Sequence, residues 1–194
     1  MEGASMNLAD LLAELLSVAA ALSGYEPIPV SALPPVEVVE PANLANEACP
    51  MEAGRCGGIV AYFDTDRRRI LLSTRLDLDN VGDNSFVVHE LVHVLEQHYN
   101  GGKAFVGCEA NLRSERRAYR VQNAYLRQLG RSERHGRVLT GLVCAREQPS
   151  ESSMVLVPAA AAARERMALE DFMADLETGG PAEAKASPAP DGRM

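Results

Sequence analysis

Between residues 7 and 22 apolar positions recur every three to four residues, with Leu8, Leu11, Leu12, Leu15, Leu16 and Val18 ahead of Gly24. That spacing lines one face of an α-helix and predicts an N-terminal amphipathic helix packed on a core. The pattern then shifts to strands. Residues 36–39 are rich in valine, and 59–63 and 69–74, with β-branched and aromatic residues, flank the turn formers Asp64 and Asp66. They predict one strand followed by a β-hairpin. Helical spacing returns with Phe86, Val87, Val88, Leu91, Val92 and Leu95, preceded by Asp83, Asn84 or Ser85 as N-cap and followed by Gly101 as a stop. So continuous an apolar run predicts a buried helix. A further helix is predicted over 111–129, where Glu115, Ala118, Gln122 and Tyr125 share one stripe and Gly130 ends the run.

Beyond Cys144 the character changes. Residues 147–157 read as a polar linker, 158–178 as an Ala-rich peripheral helix, and 179–194, rich in Pro, Ala and Gly, as a tail expected to be disordered. Residues 1–146 then form the folded domain. At 194 residues and 46% hydrophobic content, the chain can bury one core.

Inside the buried helix stands the sequence His89-Glu90-Leu91-Val92-His93. Helix positions i and i+4 lie one above the other on one face, so both imidazoles can reach a single ion. Glu90 sits roughly 100° round the helix. From there its carboxylate is badly placed to be a third ligand but well placed to take a proton from a water on the ion. That is the arrangement of a zinc hydrolase.

A catalytic zinc takes three protein ligands, so one more is required. His98 falls on the opposite face of the helix. The astacin-like and matrix-protease-like pattern needs a glycine at 96 and a histidine at 99, where this chain has Glu96 and Tyr99. Glu96 returns to the ligand face roughly 10 Å beyond His89, where it can orient a ligand but not complete the set. Glu115 heads the small and semi-polar stripe of the second helix, an odd place for a solvated charge. The intervening residues suffice to end one helix, turn, and return antiparallel. Glu115 is therefore expected to be the third ligand, with Glu109, in the loop beside Cys108, as the alternative.

His89-Glu90-x-x-His93 followed by Glu115-x-x-Ala118 resembles the gluzincin pattern of thermolysin-like metallopeptidases, and the short spacing is most similar to the minigluzincins. The resemblance covers roughly residues 58 to 130. It implies one Zn2+ per chain held by His89, His93 and Glu115, with Glu90 as general base in the hydrolysis of a peptide or protein substrate. It also implies a small zincin-like α+β domain. Its short antiparallel or mixed sheet would lie on the active-site helix, beside a Glu-bearing helix and an N-terminal helix, and the sheet edge would be free to pair with an extended peptide. Several gluzincins carry an Asp just after the alanine; this chain has Tyr119. For the oxyanion donor, His135, Tyr119, Tyr125 and Tyr99 all stay open. The alternative function is a non-catalytic, zinc-stabilised structural or interaction module.

Charge and cysteines add less. The chain carries a net −8, yet residues 113–137 hold eight arginines against Glu115 and Glu133. Such a run reads as a solvated helix face, and no nucleic-acid motif accompanies it. A surface for an anionic partner is the alternative. The N-terminal helix lacks a basic lead and is interrupted by Asp10 and Glu14, so it reads neither as a signal peptide nor as a membrane span. Cys49, Cys56, Cys108 and Cys144 contain no C-x-x-C pair, and the expected pairing is Cys49–Cys56 with Cys108–Cys144. Bridges would imply a periplasmic or secreted protein; the alternative is four reduced thiols in a cytoplasm.

Overall fold

The structure, a computed structural model, describes residues 7–144 and the backbone of 156–158. The N-terminal helix α1 (Leu8–Ser23) is capped by Asn7, whose side chain accepts the Ala9 N–H at 3.2 Å, and it ends on Gly24 in the left-handed conformation. Strand β1 (Val36–Val39) leads directly into α2 (Pro41–Ala48), a helix that begins with proline at its first position. The hairpin follows as β2 (Ala61–Asp64) and β3 (Arg69–Ser73). Its turn is tied by Asp64 Oδ1, which accepts the Arg67 N–H at 2.9 Å. The two long helices are α3 (Asn84–Asn100) and α4 (Cys108–Gln128).

The fold is α+β, with a mixed three-stranded sheet in the order β1-β3-β2. Strand β1 runs parallel to β3 and β2 antiparallel to it, which leaves β2 on an edge. Alternation along β3 decides what the sheet covers. Ile70 and Leu72 join the main core with Phe63, whereas Leu71 is buried outside that cluster, on the side of α2, where Leu44 and Ala45 are also buried. The sheet thus lies between α2 and the three large helices.

Helix α3 is the centre of the molecule. Val87, Val88, Leu91, Val92, Val94 and Leu95 are all buried, which explains why its sequence is apolar almost all round. Leu12, Leu15, Leu16 and Ala19 of α1 pack in the same core as Ala118, Val121 and Tyr125 of α4. Ala118, fully buried, carries only a methyl group at the α3–α4 contact and lets the two backbones approach.

Three elements differ from the sequence expectation. Helix α2 was not expected: the eight residues are too short for a periodic signal and are held by the sheet they cover. Helix α4 starts at Cys108, so Glu109 stands in its first turn and not in a loop. Leu156–Pro158 form a strand, β5, antiparallel to β4 (Leu142–Cys144), where a linker and the start of a peripheral helix were expected. The rest of the expected linker, the peripheral helix and the tail lie outside the described residues. No helix among the described residues is long and apolar enough to cross a membrane.

Two disulfides join Cys49 to Cys56 and Cys108 to Cys144. The second ties the start of α4 to β4 and closes a far longer loop, with a sequence separation of 36 against 7. Chain entropy gives about 3.8 kcal/mol for the longer loop and about 2.5 kcal/mol for the shorter. Replacing Cys108 and Cys144 together by Ala should therefore lower the melting temperature more than the same change at Cys49 and Cys56. Thermal denaturation of the two double variants, with thiol titration of the unreduced natural chain expected to find no free thiol among these four, checks both points.

Candidate metal centre

One helical turn places His89 and His93 on the same face of α3, and the pairing of α3 with α4 brings Glu115 opposite them. The two Nε2 atoms are 3.2 Å apart, Glu115 Oε2 lies 3.3 Å from His89 Nε2, and Glu115 Oε1 lies 3.4 Å from His93 Nε2. These three residues form a group able to hold a metal ion. Both histidines are buried, and Glu115 is partly open to the cleft.

Each imidazole is aimed by its second nitrogen. Gln122 is fully buried on α4; its amide nitrogen donates to Ser85 Oγ at 3.1 Å, which leaves its carbonyl oxygen to accept the Nδ1–H of His89 at 3.1 Å. Ser114 donates its hydroxyl to Glu96 Oε2, so its oxygen accepts the Nδ1–H of His93 at 2.8 Å. Arg117 closes this chain by donating to Glu96 Oε1 at 2.9 Å and to the Tyr25 hydroxyl. Both Nε2 atoms consequently face Glu115, with Nδ1 committed on the other side of each ring. The supports differ in kind: a neutral amide behind His89, an ionised carboxylate relayed by a hydroxyl behind His93. Burial opposes ionisation of Glu96, but its bonds to His93 and Ser114 and the nearby Arg117 hold its carboxyl below the usual range.

The convergence has an electrostatic consequence. Burial presses the His93 imidazole down, but the carboxylates of Glu115 and Glu96 more than offset this and raise it to about 10. Glu115 is likewise opposed by burial, yet its bonds to His89 and His93 hold its carboxyl far below the ordinary range. The two shifts are two sides of one pairing, a charged imidazole favoured by the carboxylates around it and a carboxylate favoured by the imidazoles.

Glu90 stands beside this trio, outside it, and reaches the sheet. Its Oε2 accepts the backbone N–H of Phe63 at 2.8 Å, a donor on the open edge of β2. Burial pushes its carboxyl pKa up, against the lowering effect of the two histidines. A cleft of about 430 Å3 adjoins Glu90, His89, His93 and Glu115, with Tyr62 and Phe63 of the sheet edge, Phe105 and Tyr119 among its walls.

The remaining candidates separate clearly. Glu109 is exposed and pairs with Arg113 at 3.4 Å, one turn on along the outside of α4. His98 stacks its ring edge-on to Tyr99, and Tyr99 stacks on Tyr25 at the far end of α3. Tyr125 belongs to the core. Tyr119 packs against His89, with ring centroids 4.4 Å apart, and lines the cleft; burial, Glu115 and Glu90 push its hydroxyl pKa up, so it remains an O–H donor. His135 sits beside Phe86 with its backbone held by Asn123, and burial lowers its pKa. Ser114, Ser85 and Arg117 were not anticipated from sequence as parts of the site. Gln122 carried a signal, since a large amide on a stripe with Ala118 has no solvent to satisfy it.

Residues 5–142 match the family model described as Domain of unknown function (DUF6647). The chain belongs to this family. The matched span takes in both long helices and all the residues of the metal centre. No curated protein and no solved structure matches the chain.

Proposed function

We propose that the chain is a zinc-dependent peptidase of gluzincin type, with His89, His93 and Glu115 as ligands and Glu90 as general base. The observation that carries this reading is the spacing of the three ligand groups. The two Nε2 atoms stand 3.2 Å apart, close to the edge of roughly 3.3 Å that a tetrahedron has when its ligand bonds are about 2.0 Å long, and each faces its own oxygen of the Glu115 carboxylate, at 3.3 and 3.4 Å. Two imidazole nitrogens and one carboxylate suit zinc. A structural zinc site would be closed by a fourth protein ligand, and here the fourth side faces the cleft.

When bound, zinc would supply a Lewis acid that polarises a substrate carbonyl and acidifies water. The protein groups would do the rest. Glu90, its pKa raised by burial, takes a proton on its carboxylate and passes it to the leaving amine. Phe63 N–H holds that carboxylate on the cleft side. Tyr119 offers its hydroxyl to the developing oxyanion, a role to which its position on the cleft wall suits it. The open edge of β2 supports an extended peptide as the ligand, paired along the backbone near Phe63. The two disulfides favour an oxidising compartment, periplasmic or extracellular. Incubation of zinc-loaded protein with a peptide library, alongside Glu90→Gln, tests the activity.

Proton and metal should compete for His93. Its folded pKa of about 10 lies above the unfolded value of 6.5, so in chelated protein its contribution to stability is complete below about pH 6.5 and disappears as pH rises through about 10. Glu115, with its pKa depressed, contributes above about pH 4.5 and loses that contribution as pH falls. Zinc uptake at pH 7 should release about one proton per chain, and affinity should rise by up to about tenfold per pH unit from 7 to 9. Calorimetric titration in buffers of different ionisation enthalpy measures both. Affinity independent of pH would mean that His93 is neutral before the ion arrives.

A further inference from the structure

The arginines of α4 are not equivalent. Arg113 is paired with Glu109 and Arg117 with Glu96, whereas neither Arg116 nor Arg120 has an acidic partner among the described residues. Those two are four apart on one face of the helix, where like charges repel. They face a cavity of about 250 Å3 that lies across Tyr119 from the metal trio and whose described lining includes His135, Asn123 and Thr140 but no acid. The cavity is fixed in shape. Asn123 holds both backbone groups of His135, at 2.8 and 3.0 Å. Gly136, at φ +79°, lies so close to Tyr119 that a Cβ there would be 2.5 Å from the ring. Arg116 Nη2 donates to the carbonyls of Leu139 and Leu142 at 3.3 and 3.0 Å, which immobilises its guanidinium, and the Cys108–Cys144 bridge anchors the end of the same loop.

A pocket with tied walls, no acid in its described lining and two guanidinium groups without an acidic partner among the described residues is suited to a carboxylate, which an arginine fork binds with two parallel hydrogen bonds. We propose that this pocket is a substrate subsite for a peptide carboxylate, with Arg120 as the principal contact and Arg116 as fixed positive charge beside it. The proposal rests on the peptidase reading in one respect: the cleft and the pocket share the Tyr119 wall, so one peptide reaches both. The carboxylate belongs either to an acidic side chain or to a free C-terminus.

Binding separates these sources. Full-length, zinc-loaded Glu90→Gln protein is titrated, by fluorescence anisotropy, with three labelled peptides: one with a Glu side chain and an amidated end, one neutral with a free C-terminus, and one neutral and amidated. At least one carboxylate peptide should bind roughly tenfold tighter than the neutral amide. Arg120→Ala should remove that preference without changing zinc content or affinity for the neutral amide, and Arg120→Glu should reverse it toward a Lys-bearing peptide. A carboxylate peptide that binds no tighter than the neutral amide, undetectable binding of all three included, overturns the proposal, as does a preference that survives Arg120→Ala. Turnover of the neutral amide by the natural chain is scored separately. A carboxylate preference in a chain that cleaves nothing keeps the subsite and ends the peptidase reading.

Discussion

Glu90→Gln should retain stoichiometric zinc and the native fold while losing about 10²–10⁴-fold in peptide hydrolysis. The side chain does not belong to the trio that converges on the ion; it turns instead to the Phe63 N–H at the edge of β2. A glutamine keeps the shape and can still accept that hydrogen bond, so neither packing nor metal affinity has reason to change much. What disappears is the ability to take up a proton. The loss should appear in kcat and in kcat/KM alike, because proton transfer belongs to the chemical step. Paired measurements of zinc content and cleavage rate on purified protein decide the matter. If the variant cleaves as well as the natural chain, or if zinc-loaded natural protein cleaves no peptide across neutral pH, the peptidase proposal fails and the zinc-stabilised structural module takes its place.

The second large effect is on metal content. His93→Ala removes one of the three proposed ligands together with the donor end of the Ser114–Glu96 chain, and stoichiometric zinc should be lost. Glu115→Ala removes the only carboxylate of the trio and should weaken binding sharply. Ser114→Ala leaves His89, His93 and Glu115 in place but removes the hydroxyl that accepts from His93 Nδ1 and links it to Glu96; a loss of about 10–100-fold in affinity is expected. Glu109→Ala, on the outer side of α4, should leave zinc binding unchanged. Metal analysis and competitive chelator titration of the four variants rank these effects. Full occupancy in Glu115→Ala would move the third ligand elsewhere.

Much of the site was legible because it depends on short-range periodicity. His89 and His93 are four residues apart, and any α-helix places such a pair on one face. The apolar periodicity of α1 and the β-branched and aromatic residues that flank the β2–β3 turn are equally local, and the structure has both elements within a few residues of where the sequence placed them. Glu115 was legible for another reason: a carboxylate at the head of a stripe containing Ala118 and Gln122 is out of place on a solvated face. The two disulfide pairs followed from the short Cys49–Cys56 spacing and from what that pairing left over.

The rest was invisible for a common reason. Which stripe a helix buries can be read from its own residues, but which neighbours that stripe meets depends on packing between segments far apart in sequence. Ser114 looks like any polar helix residue until α4 docks on α3 and places its hydroxyl between His93 and Glu96, 21 and 18 positions away. Glu96 was recognisable as a residue that could orient a ligand; that it does so through a serine, and that Arg117 and Tyr25 complete the chain, was decided by the α1–α3–α4 contact. The arginine run divides in the same way. Its composition gave a basic face, and only the fold distinguishes Arg113 and Arg117, which meet acids, from Arg116 and Arg120, which meet a pocket. Sequence by itself determined that His89 and His93 share one face of a helix with Glu90 beside them, because each placement is set by the geometry of a single helical turn. The tertiary structure decided how Glu115 meets them, how the rings are aimed and what surrounds the cleft, because those follow from the docking of elements whose relative placement no local pattern encodes.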